Sequence, residues 1–292
     1  MRLDMNCIPC NINQAIRIAD LLDLAPDTRE AMMRELLAHL GGSDYGLSNP
    51  EIFGGTWEII TRHAGNPDPY RDTMSLYNRD LLALLPAVDT LINNAADPFL
   101  TALKAAIAGN LVDFAVHHRF TSDDLLRKIE AIEHTPFGID HSERLRTCLA
   151  TARSLTYLGD NCGEIALDKL FIRRLTAWHP ELSVRFIVRG QAVLNDVTMT
   201  DAAEVGMAEV ATVLPSGDRT PGTVISRVSP EVRQAFDTAD VVIAKGQGNF
   251  ESLFDNGRPG VFHLFMVKCE PIARLLGMRT HAIMCLENDG QR

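Results

Sequence analysis

The segment SLTYLGDNCGEIALDKLFIRRLTAW, residues 154–178, decides how the rest of the chain is read. SLTYL is a short run of apolar, β-branched and aromatic residues, the composition of a buried strand. Farther along, Leu167, Leu170, Phe171, Leu175 and Trp178 fall on one helical stripe, which should face a sheet as core. Between strand and helix stand Gly159, Asp160, Asn161, Cys162 and Gly163, so an acid, an amide and a thiol occupy a place where a turn alone would do. A strand, a polar turn and a helix in this order open a βα unit and predict a parallel sheet.

Downstream the same grammar repeats. VRFIV, EVATVL, DVVIA, VFHLFMV and HAIMCL read as further strands, with helical patterns between several of them. Residues 151–292 are therefore expected to form a three-layer α/β/α, Rossmann-like domain with a mostly parallel sheet. Upstream, apolar residues return at three- and four-residue intervals, so residues 1–150 read as an all-helical amino-terminal subdomain, or cap. Within it Asp27 with Glu30 reads as a helix start and Gly41-Gly42 as its end. Tyr70 to Ala95 and Pro98 to His118 read as longer helices, and Thr121 with Asp124 opens another.

Composition removes several classes of function. The 292 residues carry a formal net charge of -10 and no Lys/Arg-rich run, which argues against a nucleic-acid partner. No apolar stretch approaches the roughly 20 residues of a membrane span, and MRLDMNCIPC lacks the pattern of a secretion signal, so a cytoplasmic protein without a membrane partner is expected. Six cysteines scattered along a chain of this length read as reduced thiols. Nothing in the sequence specifies an oligomeric state.

In open α/β sheets ligands bind beyond the carboxyl ends of the strands, so the residues after each apolar run matter most. There stand Asp160, Asn161 and Glu164; Arg189, Asn195 and Asp196; Lys245 to Glu251; and Lys268 with Cys269. Asp160, Asn161 and Asp196 offer hard oxygen donors suited to Mg²⁺ or Mn²⁺, and would leave positions open for water and a substrate oxygen. Gly246 and Gly248 let backbone amides approach an anion, and Lys245 adds a point charge suited to a phosphate oxygen. Glu164, Arg189 and Asn249 complete the polar set offered to a phosphorylated ligand.

The segments GDNCGEIALDKL, VRGQAVLNDVTMTDA, AKGQGNFESL and KCEPIA, with CIPC, GNPDPYRD (65–72) and GNLVDF (109–114), together resemble the damage-control phosphatases, in the microbial subgroup with a CxxC near the amino terminus. The resemblance covers nearly the whole chain in the expected order. It implies a helical part packed on an α/β/α domain and hydrolysis of small phosphorylated metabolites, namely sugar phosphates or damaged and surplus cofactor intermediates, with Mn²⁺, Co²⁺, Ni²⁺ or Mg²⁺. It implies Asp160, Asn161 and Asp196 as metal ligands and Lys245 as a phosphate contact. Asn110 and Asp113 match its helical GNxxDF motif and should close the site from the cap side.

Other readings compete at single residues. Cys7 and Cys10 form a CxxC that, with Cys269, is either part of a second metal site, a redox pair or simple packing. Cys162 beside the acids invites a nucleophile, but no histidine near in sequence would activate it, so packing under the loop is expected. At the level of the whole protein, an S-adenosylmethionine-dependent carboxyl methyltransferase would also use a strand, an acidic glycine loop and a helix, yet gives no reason for Asp196 or Lys245. A non-enzymatic sensor of phosphorylated metabolites is the third reading.

Overall fold

In the computed structural model, which describes residues 1–109 and 122–288, the sheet begins with a strand that no sequence pattern announces. This is β1 (Phe137–Asp140), lying inside the stretch expected to be helical. The expected strands follow as β2 (Ser154–Leu158), β3 (Ser183–Val188), β4 (Thr212–Pro215), β5 (Val241–Lys245), β6 (Val261–Met266) and β7 (Ile283–Asn288). They form one sheet of seven strands in the order β1-β7-β6-β5-β2-β3-β4. Only the β6–β7 pair is antiparallel, so the sheet is mostly parallel as expected.

The chain runs from β2 through β3 to β4 on one side and returns to β5 on the other side of β2. The order therefore reverses between β2 and β5, and a crevice opens beyond the carboxyl ends of those two strands. Strand burial shows why these runs read as continuously apolar. Along β5, Val241 and Ile243 join the core on one face while Val242 and Ala244 join the core on the other. Both faces are covered, and the period of two disappears from the sequence.

The helices of the amino-terminal part are α1 (Cys7–Leu21), α2 (Pro26–Gly42), α3 (Asn49–Ala64), α4 (Arg71–Asn94), α5 (Pro98–Ala108) and α6 (Ser122–Glu133). Those downstream are α7 (Ser142–Thr151), α8 (Glu164–Trp178), α9 (Met199–Glu204), α10 (Pro230–Thr238), α11 (Gly246–Leu253) and α12 (Glu270–Leu276). Local chemistry sets several of the boundaries. Ser48 and Glu51 form a capping box at the start of α3, and Gly65 ends it in the left-handed region at φ 62°. Asp97 accepts from the Leu100 amide at 3.1 Å, with Pro98 at the first turn of α5. Helix α2 starts at Pro26, one residue ahead of the expected Asp27, because proline is pre-set for the first helical turn.

The cores divide the amino-terminal helices into two sets. Leu81, Leu84, Val88 and Ile92 of α4 and most of α5 pack with α8 on the sheet, sharing one core with Leu155, Tyr157 and Phe186. Helices α1 to α3 close a separate core around Ile18, Leu36, Trp57 and Ile60. Helices α10 to α12 cover the opposite face of the sheet. The expected stripe on α8 needs one correction. Leu167, Leu170, Phe171 and Leu175 are buried, whereas Trp178 is 37% exposed, because α8 ends there, with Phe99 tilted against its ring. Among the described residues no helix is long and apolar enough to cross a membrane.

Candidate active site

The loop after β2 and the loop around residue 196 are stitched together through their backbones. Val197 donates to the Asp160 carbonyl at 2.8 Å and Cys162 donates to the Asn195 carbonyl at 2.9 Å, so Asn161 and Asp196 form an isolated antiparallel bridge. The loops need glycine to approach. A Cβ at Gly159 would meet the Phe186 ring at 2.8 Å, and Gly163 sits at φ 71° to start α8. From the helical side, Asn78 accepts the Gly163 amide at 2.7 Å and fixes that turn.

This stitching brings Asp160, Asn161 and Asp196, far apart in sequence, to the wall of one cleft of about 260 Å³. All three are at least nine-tenths buried. Asn161 donates to Asp160 at 2.6 Å, and Arg189 donates from Nε to one oxygen of Asp196, also at 2.6 Å. No hydrogen bond among the described residues engages the other oxygen of Asp196. Burial raises the Asp196 carboxyl, Arg189 opposes the shift, and the charge of Asp160 adds to it. A cation placed between the two acids would relieve that repulsion.

The other expected contacts take up a different arrangement. Lys245 does not line the cleft: its ammonium is fully buried and donates to the Ala106 carbonyl at 2.8 Å, to Asp168 at 2.6 Å and to Glu164. An ammonium has three donors, so all are engaged away from the cleft. Glu164 is drawn into the same network and raised by burial and by neighbouring carboxylates. Tyr157 completes it by donating to Asp168 at 2.6 Å. Arg189 is spent on Asp196, Thr223 and Asn249. Asn249 donates to the carbonyls of Gly159 and Lys245 and so ties the end of β2 to that of β5. These four expected phosphate contacts instead build the wall behind the cleft.

The glycines divide likewise. Gly248 lines the cleft, while Gly246, at φ 77°, allows Asp160 to lie directly against the backbone; a Cβ there would overlap its carboxylate. Gly109 serves a related purpose, since a Cβ would sit 2.6 Å from the Glu164 Cα where α5 ends against α8. Asn110 and Asp113, one position and a few positions farther on, lie outside the described residues.

Several residues of the cleft carried no site assignment in the sequence. Gln247, Glu251 and Lys268 stood among the polar strand-end residues without a role, and Gln14, Asn49 and Phe53 enter from α1 and α3. Lys268 is exposed and near enough to Asp196 to favour its charged form. For the residues of α1 and α3 no local signal exists, because a helical pattern does not say which sheet rim its face will meet. Glu251 sits one turn after Gln247 on α11, and that spacing was the available signal.

The cysteines fall into two groups. Cys162 is buried and its thiol is held well above its ordinary range by burial, which fits packing under the loop. Cys10 lines the cleft, Cys7 is buried behind it, and Cys269 receives a hydrogen bond from Gln247 at 3.3 Å. Among the described residues no group of three or more His, Cys, Asp or Glu side chains is gathered closely enough to hold a metal ion. Asp160, Asn161 and Asp196 contribute two carboxylates and one amide instead.

Known proteins resemble this chain along most of its length. A damage-control phosphatase of Pyrococcus horikoshii is 30% identical, with 99% of each chain covered. One from Archaeoglobus fulgidus is 29% identical over 73% of this chain and 74% of its own. The crystal structure of a DUF89 family protein from Pyrococcus horikoshii superposes with a TM-score of 0.91 at 28% identity, covering 99% of this chain and 100% of that one. The damage-control phosphatase ARMT1-like domain spans residues 3–284, and with the fold and rim described above the chain belongs to that family, whose named relatives support a phosphatase role.

Proposed function

We propose that the protein is a divalent-metal-dependent phosphomonoesterase acting on small phosphorylated metabolites, with sugar phosphates or damaged and surplus cofactor intermediates as the substrate class. The observation that carries this reading is the convergence of Asp160, Asn161 and Asp196 on one cleft by backbone stitching. Their oxygens suit Mn²⁺, Co²⁺, Ni²⁺ or Mg²⁺, and the repulsion between the two acids favours a cation. Bound there, such a cation would polarise a phosphoryl oxygen and offset charge in the transition state.

The chain supplies the remaining functions. Arg189 holds one oxygen of Asp196 and leaves the other without a hydrogen bond among the described residues. Lys268, at the rim of the cleft, is the cation placed to meet anionic phosphoryl oxygens, while Lys245 holds the wall behind. The amino-terminal turn of α11, beginning at Gly246, adds backbone amides and the positive end of a helix. Gln14 and Asn49 offer hydrogen bonds to the part of the ligand beyond the phosphate.

The test is hydrolysis of p-nitrophenyl phosphate and a panel of sugar phosphates by EDTA-treated protein, with each of the four cations restored in turn, beside Asp160→Asn. Phosphate release that needs a cation and that the variant lacks is expected. No release with any cation, together with metal-dependent binding of sugar phosphates, would overturn the enzyme reading in favour of a sensor.

A further inference from the structure

Glu251 is the acid of the cleft that neither the metal ligands nor the buried lysine network employs. It lines the same cavity as Asp160, Asn161 and Asp196, and is only 6% exposed. Its oxygen Oε1 accepts a hydrogen bond from Gln247 Nε2 at 2.8 Å. The orientation of that amide is fixed independently, because Gln247 Oε1 accepts the Lys268 backbone N–H at 2.9 Å. An amide nitrogen only donates, so Glu251 Oε1 is held as an acceptor and a proton on this carboxyl resides on Oε2. Oε2 is buried with no hydrogen-bond partner among the described residues. A buried polar atom without a partner is costly unless a ligand supplies one.

The surroundings favour the protonated form. Among the described residues no cationic side chain pairs with Glu251. The amino terminus of Met1 donates to its backbone carbonyl and pairs with Asp255, while Lys268 meets Gln247 through its backbone amide. The thiols of Cys7 and Cys269 stand within electrostatic reach, and Cys10 shares the cleft. Burial lifts the carboxyl to about 7, with Gln247 and the amino terminus opposing the shift, which leaves it able to hold and release a proton near neutrality.

We propose that Glu251 is the general acid that protonates the leaving-group oxygen of the phosphomonoester. The inference rests on the phosphatase reading above and deepens it. In the step, water adds to phosphorus, the bond between phosphorus and the ester oxygen breaks, and the Oε2 proton moves to that oxygen, giving a neutral alcohol. Glu251 becomes a carboxylate and regains a proton from solvent, so water and phosphomonoester yield alcohol and phosphate with no other reactant. An alkoxide leaves poorly without such a proton, whereas p-nitrophenolate leaves readily alone.

The experiment compares wild type with Glu251→Gln on p-nitrophenyl phosphate and on an alkyl phosphate such as a sugar phosphate, with the cation that supports turnover. The expected result is a loss in kcat/KM of about 100-fold or more on the alkyl substrate and less than about tenfold on the aryl one. Equal losses on both, or none on either, would overturn the assignment, since a merely structural role does not distinguish leaving groups. Should the variant fail to fold, a series of aryl and alkyl phosphates with wild type decides. A rate nearly independent of leaving-group basicity supports the acid, and a steep decline removes it. If wild type hydrolyses neither substrate with any cation, the phosphatase reading itself has failed, and the general acid falls with it.

Discussion

Two clusters of charged and polar side chains draw on the segment from β2 to α8, and they behave oppositely. Asp160, Asn161 and Asp196 face a cleft and keep an oxygen of Asp196 outside the hydrogen-bonding network. Lys245, Glu164, Asp168 and Tyr157, drawn from equally suggestive residue types, gather around the ammonium, whose three donors go to Glu164, Asp168 and the Ala106 carbonyl. The difference teaches that a charged residue at a strand end is a candidate for chemistry only when its partners leave something over. A buried cation with three acceptors is a structural element, whatever motif contains it.

The comparison breaks first at Asp196. Asp196→Asn still offers Arg189 an oxygen but removes a charge from the proposed cation site, so phosphatase activity should fall on the order of 1000-fold. Titration calorimetry with Mn²⁺ should show the accompanying loss of binding, and unaltered affinity would place the cation elsewhere. Lys245→Met should do the reverse. It strands Glu164 and Asp168 in the core and should lower unfolding stability by about 3 kcal/mol, read by denaturant titration. Stability equal to wild type would return Lys245 to the list of ligand contacts.

A third prediction concerns acidity. Folded protein keeps Glu251 protonated up to about 7, against an ordinary value of 4.5, so the folded state binds the extra proton between those values. Stability contributed by this group is therefore fully present below pH 4.5, is lost as pH rises to 7, and changes little above it, with a span of up to about 3 kcal/mol. Glu251→Gln should flatten that part of the stability profile, and an unchanged slope would assign it to another group. The smallest effect is expected at Lys268, where Lys268→Met should leave stability unchanged and raise KM for phosphate esters about tenfold. An unchanged KM would take Lys268 out of substrate binding.

Much of this arrangement was legible in the sequence, for identifiable reasons. Strands β2, β5 and β6 announced themselves because burial on both faces demands continuous apolar runs, β3, β4 and β7 kept enough of that character to be read beside them, and the switch point then directed attention to Asp160 and Asp196. Strand β1 was not legible, since FGID is four residues long and alternates between half-buried and exposed positions at the sheet edge. Lys245 misled because a lysine beside glycines names a charge but not a direction. The direction was set by Glu164 and Asp168, one turn apart on α8, whose spacing alone suggests a shared partner. Trp178 was misplaced because helical periodicity does not show where the neighbouring layer stops. Gln14 and Asn49 could not be found at all, because their role depends on how a separately packed helical core meets the rim.

That separate core has a consequence for how such a protein can change. The floor of the cleft is locked by backbone bridges and by glycines at 159 and 246, where a side chain would collide with its surroundings. Its ceiling comes from α1 and α3, whose interior is distinct from that of the sheet. Variation at Gln14, Asn49 and Phe53 can therefore reshape which molecules enter without disturbing the oxygens beneath. One half of the cleft is conservative by construction, and the other is where new substrate preferences can evolve or be engineered.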